Sequence, residues 1–123
     1  MIDFKNSSFV KLKKASNSAA GDILPILISG EEIIGCYKGI RDYVVFTNKR
    51  IISVNVQGIT GKKKDFTSIP YSKIQVFSLE TSGTFDIDSE LEIYISGVGK
   101  VIFEFTGSSD IIAIGKTISD IVL

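Results

Sequence analysis

The chain has 123 residues, 44% of them hydrophobic and 23% charged, which is one domain's length with enough interior for a core without covalent staples. Its 14 Lys and Arg balance 14 Asp and Glu, which argues against a strongly basic nucleic-acid binder, and the absence of His removes Ser-His-Asp and Cys-His chemistry and the commonest zinc ligand. The single cysteine excludes an internal disulfide and fits a cytoplasmic setting, the first residues show no apolar signal-peptide core, and the longest apolar run is far too short to cross a bilayer.

In chain order, residues 5–20 are basic, then rich in Ser, Asn and Ala, and read as a loosely held arm or weak helix. The arm "FKNSSFVKLKK" mixes Lys with Phe, Val and Leu and suits packing or a partner, with an anionic lipid surface as the alternative. Asp22 is placed to cap a short helix over 23–29, with Pro25 in its first turn and Gly30 at its stop. From Glu32 the pattern changes to short β-branched and aromatic runs punctuated by Gly, Asn, Asp or Pro. Seven strands are predicted, over 33–38, 43–47, 51–56, 64–69, 74–81, 91–96 and 100–106. Cys36 sits among apolar neighbours as a small core residue. Asn48-Lys49 offers a two-residue hairpin turn in which Asn tolerates positive φ. Pro70 cannot donate to a ladder and belongs at a strand end or a change of sheet. Leu91, Ile93 and Ile95 alternate with Glu90, Glu92 and Tyr94, so one face is buried and one is wet. The last segment is an amphipathic helix, capped by Ser108 or Ser109, with Asp110 at its positive end and Ile111, Ile114, Ile118 and Ile121 expected to be buried.

The predicted architecture is mainly β with a C-terminal α-helix. It is a seven-stranded antiparallel sandwich or partly open barrel capped by that helix, divided as an arm and short helix over 1–29 and a domain over 30–123. Seven strands followed by one helix is the order of a pleckstrin homology domain. The middle of the chain resembles the bacterial pleckstrin-homology family, long catalogued as a domain of unknown function. The marks are "RD" at 41–42, "FTNKRII" at 46–52, "QGITGKK" at 57–63, "SIPYSKI" at 68–74 and "SGTFDIDSEL" at 82–91. The resemblance implies this fold, a tendency to assemble into ring-like homo-oligomers such as pentamers, and no known enzymatic activity.

"GITGKKKDF" at 58–66 invites a phosphate reading. A P-loop needs four residues between its glycines and a Ser or Thr after Lys, whereas only two separate Gly58 from Gly61 and Lys63 follows Lys62. A KH clamp joins two helices, but the flanks are strands. A plain hairpin loop with solvated lysines accounts for the letters. In a meander alternate loops share one end of the sheet, so the turn at 38–41 and the loop at 57–63 would lie together, where pleckstrin homology domains take phosphoinositide headgroups. Lys38, Arg41, Lys62, Lys63 and Lys64 are the candidate rim for an anion, lipid or partner, with Asp42 as an opposing charge. The acidic run Asp86, Asp88, Glu90, Glu92 fails the calcium-loop template, since Leu91 stands where Gly is needed, and reads as the solvated side of a bend and strand.

Charge is unevenly spread. Residues 1–73 hold twelve Lys or Arg against six Asp or Glu, and residues 74–123 hold two against eight. The expected function is a non-enzymatic, cytoplasmic interaction module that assembles with itself and contacts a protein partner. The alternative is a peripheral module that binds anionic lipid weakly. No cofactor, metal or nucleic acid is expected.

Overall fold

A computed structural model describes all residues except Asp86, Ser108 and Ser109, and all of their side chains except that of Ser7. Eight strands form one curled sheet: β1 (Ser7–Ala15), β2 (Ile33–Lys38), β3 (Tyr43–Thr47), β4 (Arg50–Gln57), β5 (Lys63–Pro70), β6 (Val76–Glu80), β7 (Ser89–Ile95) and β8 (Gly99–Phe105). Their order is β5-β4-β3-β2-β1-β8-β7-β6. The mainly β fold closed by a C-terminal helix is as expected, and the seven predicted strands are β2 to β8. Pro70 ends β5, an edge strand, where its missing donor is harmless.

The first fifteen residues correct the expectation. In place of an arm or weak helix, β1 lies in the middle of the sheet and joins its two antiparallel halves. It pairs parallel with β8, Phe9 opposite Phe103 and Leu12 opposite Phe105. It pairs antiparallel with β2, Lys13 opposite Lys38 and Ala15 opposite Cys36. A register shift falls between Phe9 and Leu12, and Lys11 there adopts φ 54°. The extra residue puts two inward side chains three apart instead of two. That hides the strand from a period-two reading.

The short helix also differs. A kinked 3-10 segment spans Asn17–Ile26, earlier than expected, and Ser16 caps it by accepting from the Ser18 N–H. Asp22 therefore lies inside the segment. Ala20 and Ile23 cover a second apolar cluster with Cys36, Tyr43, Val45, Ile52 and Val54. β3 is thus buried along its whole length, which explains why "YVVFT" runs apolar without alternation. Burial pushes the Cys36 thiol up.

The main core lies on the opposite face. Phe9 stacks on Phe103 at 5.5 Å, and Tyr37 meets Phe105 edge-on at 4.9 Å. Helix α1 (Ile111–Val122) closes this core against β6, β7 and the 3-10 turn Tyr71–Lys73. Ile111, Ile114 and Ile118 are buried, whereas Ile121, expected inside, is 40% exposed on the last turn. Asp110 caps α1 by accepting from the Ala113 N–H at 3.3 Å; the alternative caps Ser108 and Ser109 lie outside the described residues. Gly115 leaves room for Leu79, whose side chain a Cβ would strike.

Candidate functional site

The "FTNKRII" mark builds scaffold. Glu31 is buried just after Gly30, and Arg50 opens β4 beside it. The guanidinium grips the carboxylate with two bonds, Nε to Oε2 and Nη2 to Oε1, both 2.9 Å. Thr47 Oγ1 donates to the same carboxylate at 2.7 Å, and the Ile28 N–H at 3.1 Å. Arg50 also reaches the Ile26 carbonyl at 2.7 Å and Ser68 Oγ at 3.0 Å. The Arg50 bond dominates over desolvation and holds Glu31 at a pKa of about 2. Tyr71 O–H donates to the Thr47 carbonyl at 2.7 Å, and burial raises its pKa. The turn at Asn48-Lys49 is two residues long, as expected, but Asn48 does not use positive φ. Its side chain instead accepts from the Glu32 N–H and donates to the Gly30 carbonyl, pinning the preceding loop to β3.

The two loops expected to share an end do meet. Arg41 Nη2 donates to the Gly58 carbonyl, so the turn 39–42 and the loop 58–62 are tied together. Gly58 and Gly61 have φ +77° and +68°, the turn geometry that glycine permits. Lys62 and Lys63 stand exposed beside this tie. Lys64 turns away to Asp22 Oδ2 at 3.0 Å; the Tyr43 O–H donates to that oxygen at 3.1 Å, and the two bonds hold the Asp22 carboxyl below its usual value, Lys64 foremost. Lys38 lies opposite Lys13 on the β1–β2 ladder. Asp42 accepts from the Val56 N–H at 2.8 Å and from Asn55 at 3.1 Å, so its carboxylate is occupied in fastening the turn. Ile40, 90% exposed, and Ile59, fully exposed, stand on the two joined loops. Composition gave no cue to them, because they are apolar residues in short connections.

Away from this rim the sheet carries like charges face to face. Glu80 is opposite Glu90, which is opposite Glu104, across β6, β7 and β8. Burial, then Glu80, Glu92 and Glu104, raises the Glu90 pKa. Lys100, which pairs with Glu92 at 3.4 Å, offsets part of this by its own charge. Lys13 facing Lys38 is the matching pair of opposite sign. Like charges directly opposite on a ladder are unfavourable within one chain. Glu90 and Glu92 lie on β7 as the solvated side of a strand, half-buried; Asp86, at the head of that acidic run, lies outside the described residues. No group of His, Cys, Asp and Glu among the described residues is arranged to hold a metal. No helix among them is long and apolar enough to cross a membrane.

The profile of the bacterial PH domain family matches residues 3–122. A DUF1696 family protein with a pleckstrin-homology domain from Shewanella loihica PV-4 is 39% identical, with a TM-score of 0.77 over 93% of this chain and 99% of its own. A pleckstrin homology domain from Shewanella amazonensis SB2B is 44% identical, with a TM-score of 0.63 over 87% of each chain. The uncharacterized protein YjqA of Bacillus subtilis is 55% identical over 76 residues, which are 62% of this chain and 61% of YjqA. The uncharacterized protein YozO of the same organism is 39% identical over 66 residues, 54% of this chain and 57% of YozO. The matched part thus spans about three fifths of the length of these curated relatives.

Proposed function

The chain belongs to the bacterial PH domain family, and from that premise we propose that it is a non-enzymatic interaction module that assembles with itself and scaffolds protein contacts in the cytoplasm. The observation that carries this reading is the alignment of like charges on neighbouring strands in a chain of zero net charge. Three glutamates are aligned across β6, β7 and β8, and a lysine pair is aligned across β1 and β2. Repulsion within each row is relieved when the row of another copy, of opposite sign, lies against it. Two different patches meeting head to tail close into a ring or run on as a filament. The family resemblance favours a ring, with five subunits as one size. Light scattering at low and high salt tests the reading. An oligomer at low salt is expected; a monomer at both salts, well above micromolar concentration, overturns it.

A second reading is favoured by the tie between Arg41 and Gly58. It gathers Arg41, Lys62 and Lys63 beside exposed Ile40 and Ile59, a combination suited to the surface of an anionic membrane. Lys64 contributes least, being paired with Asp22. Replacing Lys62 and Lys63 by Ala should abolish sedimentation with phosphatidylserine vesicles at low salt. A parent protein that ignores such vesicles ends this reading.

A further inference from the structure

We propose that the contact between copies is a knob and a groove, Phe85 of one subunit seating against Val10, Ile40 and Arg41 of the next. The proposal rests on the self-assembly reading above and names the surfaces that would carry it. The groove has a volume of about 290 Å³ and runs between β1 and the turn 39–42, lined by Phe9, Val10, Leu12, Ile40 and Arg41 among others. It arises because β2 ends at Lys38, opposite Lys13, and the chain then turns away. Pairing with β2 begins only at Lys13, so the first half of β1 has β8 on one side and the turn, not a strand, on the other. Val10 is 53% exposed at its rim.

The knob is Phe85, with Ile87 two positions on, between β6 and β7. Phe85 is fully exposed and Ile87 largely so, which leaves two large apolar side chains in water and shows that Phe85 does not fill its own subunit's groove. The charges around the two patches are opposite. Glu80 and Glu90 lie at the strand ends beside the knob. Arg41 lines the groove together with Asp42, whose carboxylate is taken up by the Val56 N–H and Asn55, and exposed Lys11, Lys13 and Lys38 follow the lining residues along β1 and β2. An apolar plug inside a ring of complementary charge is the usual anatomy of a specific contact. Because knob and groove are different patches, each subunit offers one of each, which makes the contact heterologous.

The experiment is light scattering on the parent, Phe85→Ser, Ile40→Asp and an equal mixture of the two variants. Val10→Asp serves as a second groove variant, and thermal melting checks that each remains folded. The parent should be oligomeric and each variant a 13.4 kDa monomer. The mixture should give a two-subunit species and nothing larger, since a mixed pair holds one intact knob and one intact groove. An oligomeric parent whose variants keep its mass overturns the contact and leaves assembly standing. Variants that are monomers alone and stay so when mixed also overturn it, because knob and groove are then not partners. Groove variants that lose vesicle binding yet keep the parent mass assign that face to lipid instead and overturn it too. A monomeric parent removes the assembly reading and the contact together.

Discussion

Two arginines lie nine positions apart in the stretch of chain that most resembles the family, Arg41 and Arg50. Arg50 is surrounded by partners: a buried carboxylate held in a two-point grip, a backbone carbonyl and a hydroxyl. Arg41 is exposed, with one bond to a carbonyl on the neighbouring loop. The first charge is spent inside the molecule and is unavailable to a ligand. The second is held at a rim with its remaining donors facing outward. A family mark can therefore be scaffold or surface, and the partners decide which.

The sharpest way to break this contrast is Arg50→Met. It leaves the Glu31 carboxylate buried without its cation, and a loss of about 3–5 kcal/mol in denaturant unfolding is expected. Adding Glu31→Leu should recover much of it, since removing both charges spares their desolvation. A loss below about 1 kcal/mol for the single variant would mean the pair is no scaffold.

Acid acts on the same pair. Glu31 titrates at about 2 in the fold against an ordinary 4.5. A depressed folded pKa gives stability that is complete above the unfolded value and lost as pH falls from about 4.5 toward about 2, on the order of a few kcal/mol. The parent should lose stability across that window in unfolding titrations. Arg50→Met should lose less, because the bond that lowers Glu31 is gone.

A smaller effect belongs to Tyr71, whose hydroxyl fastens the Thr47 carbonyl next to the pair. Tyr71→Phe removes one buried hydrogen bond and should cost about 1–2 kcal/mol. No change in the unfolding midpoint would show that the carbonyl is satisfied without it.

The contrast also shows what a sequence can disclose. Strands β2 to β8 were legible because alternation and turn residues are local signals, as in Leu91 and Ile93 against Glu90 and Glu92. β1 was not, because the register shift at Lys11 breaks the period on which the reading depends. The meeting of the turn 39–42 with the loop 58–62 was legible from topology alone. The fate of each lysine was not: Lys64 is claimed by Asp22 and Lys62 is left exposed, although they are neighbours in one run. Such pairings join residues distant in sequence, and no spacing encodes them. Glu31 went unmarked for the same reason, as its partner Arg50 lies across a loop and a hairpin. Exposure of Phe85, Ile40 and Ile59 is likewise a property of the folded surface.

Arg41→Ala is the variant for which the smallest change in stability is expected, within about 0.5 kcal/mol, since an exposed side chain with one bond to an exposed carbonyl contributes little. Its effect should be local. Without the tie to Gly58, the loop 58–62 is held only by its own turn, so its amides should exchange faster while those of β3 and β4 keep their protection. Arg41→Lys separates charge from geometry. It keeps the cation but loses the planar fork, so any salt-dependent association of the rim should persist with Lys and weaken with Ala. If Arg41→Ala instead costs as much as Arg50→Met, both arginines are scaffold and the rim has lost its cation. If it leaves loop exchange, association and stability all unchanged, the bond to Gly58 has no part in ordering the surface, and Lys62 and Lys63 act on a loop that orders itself.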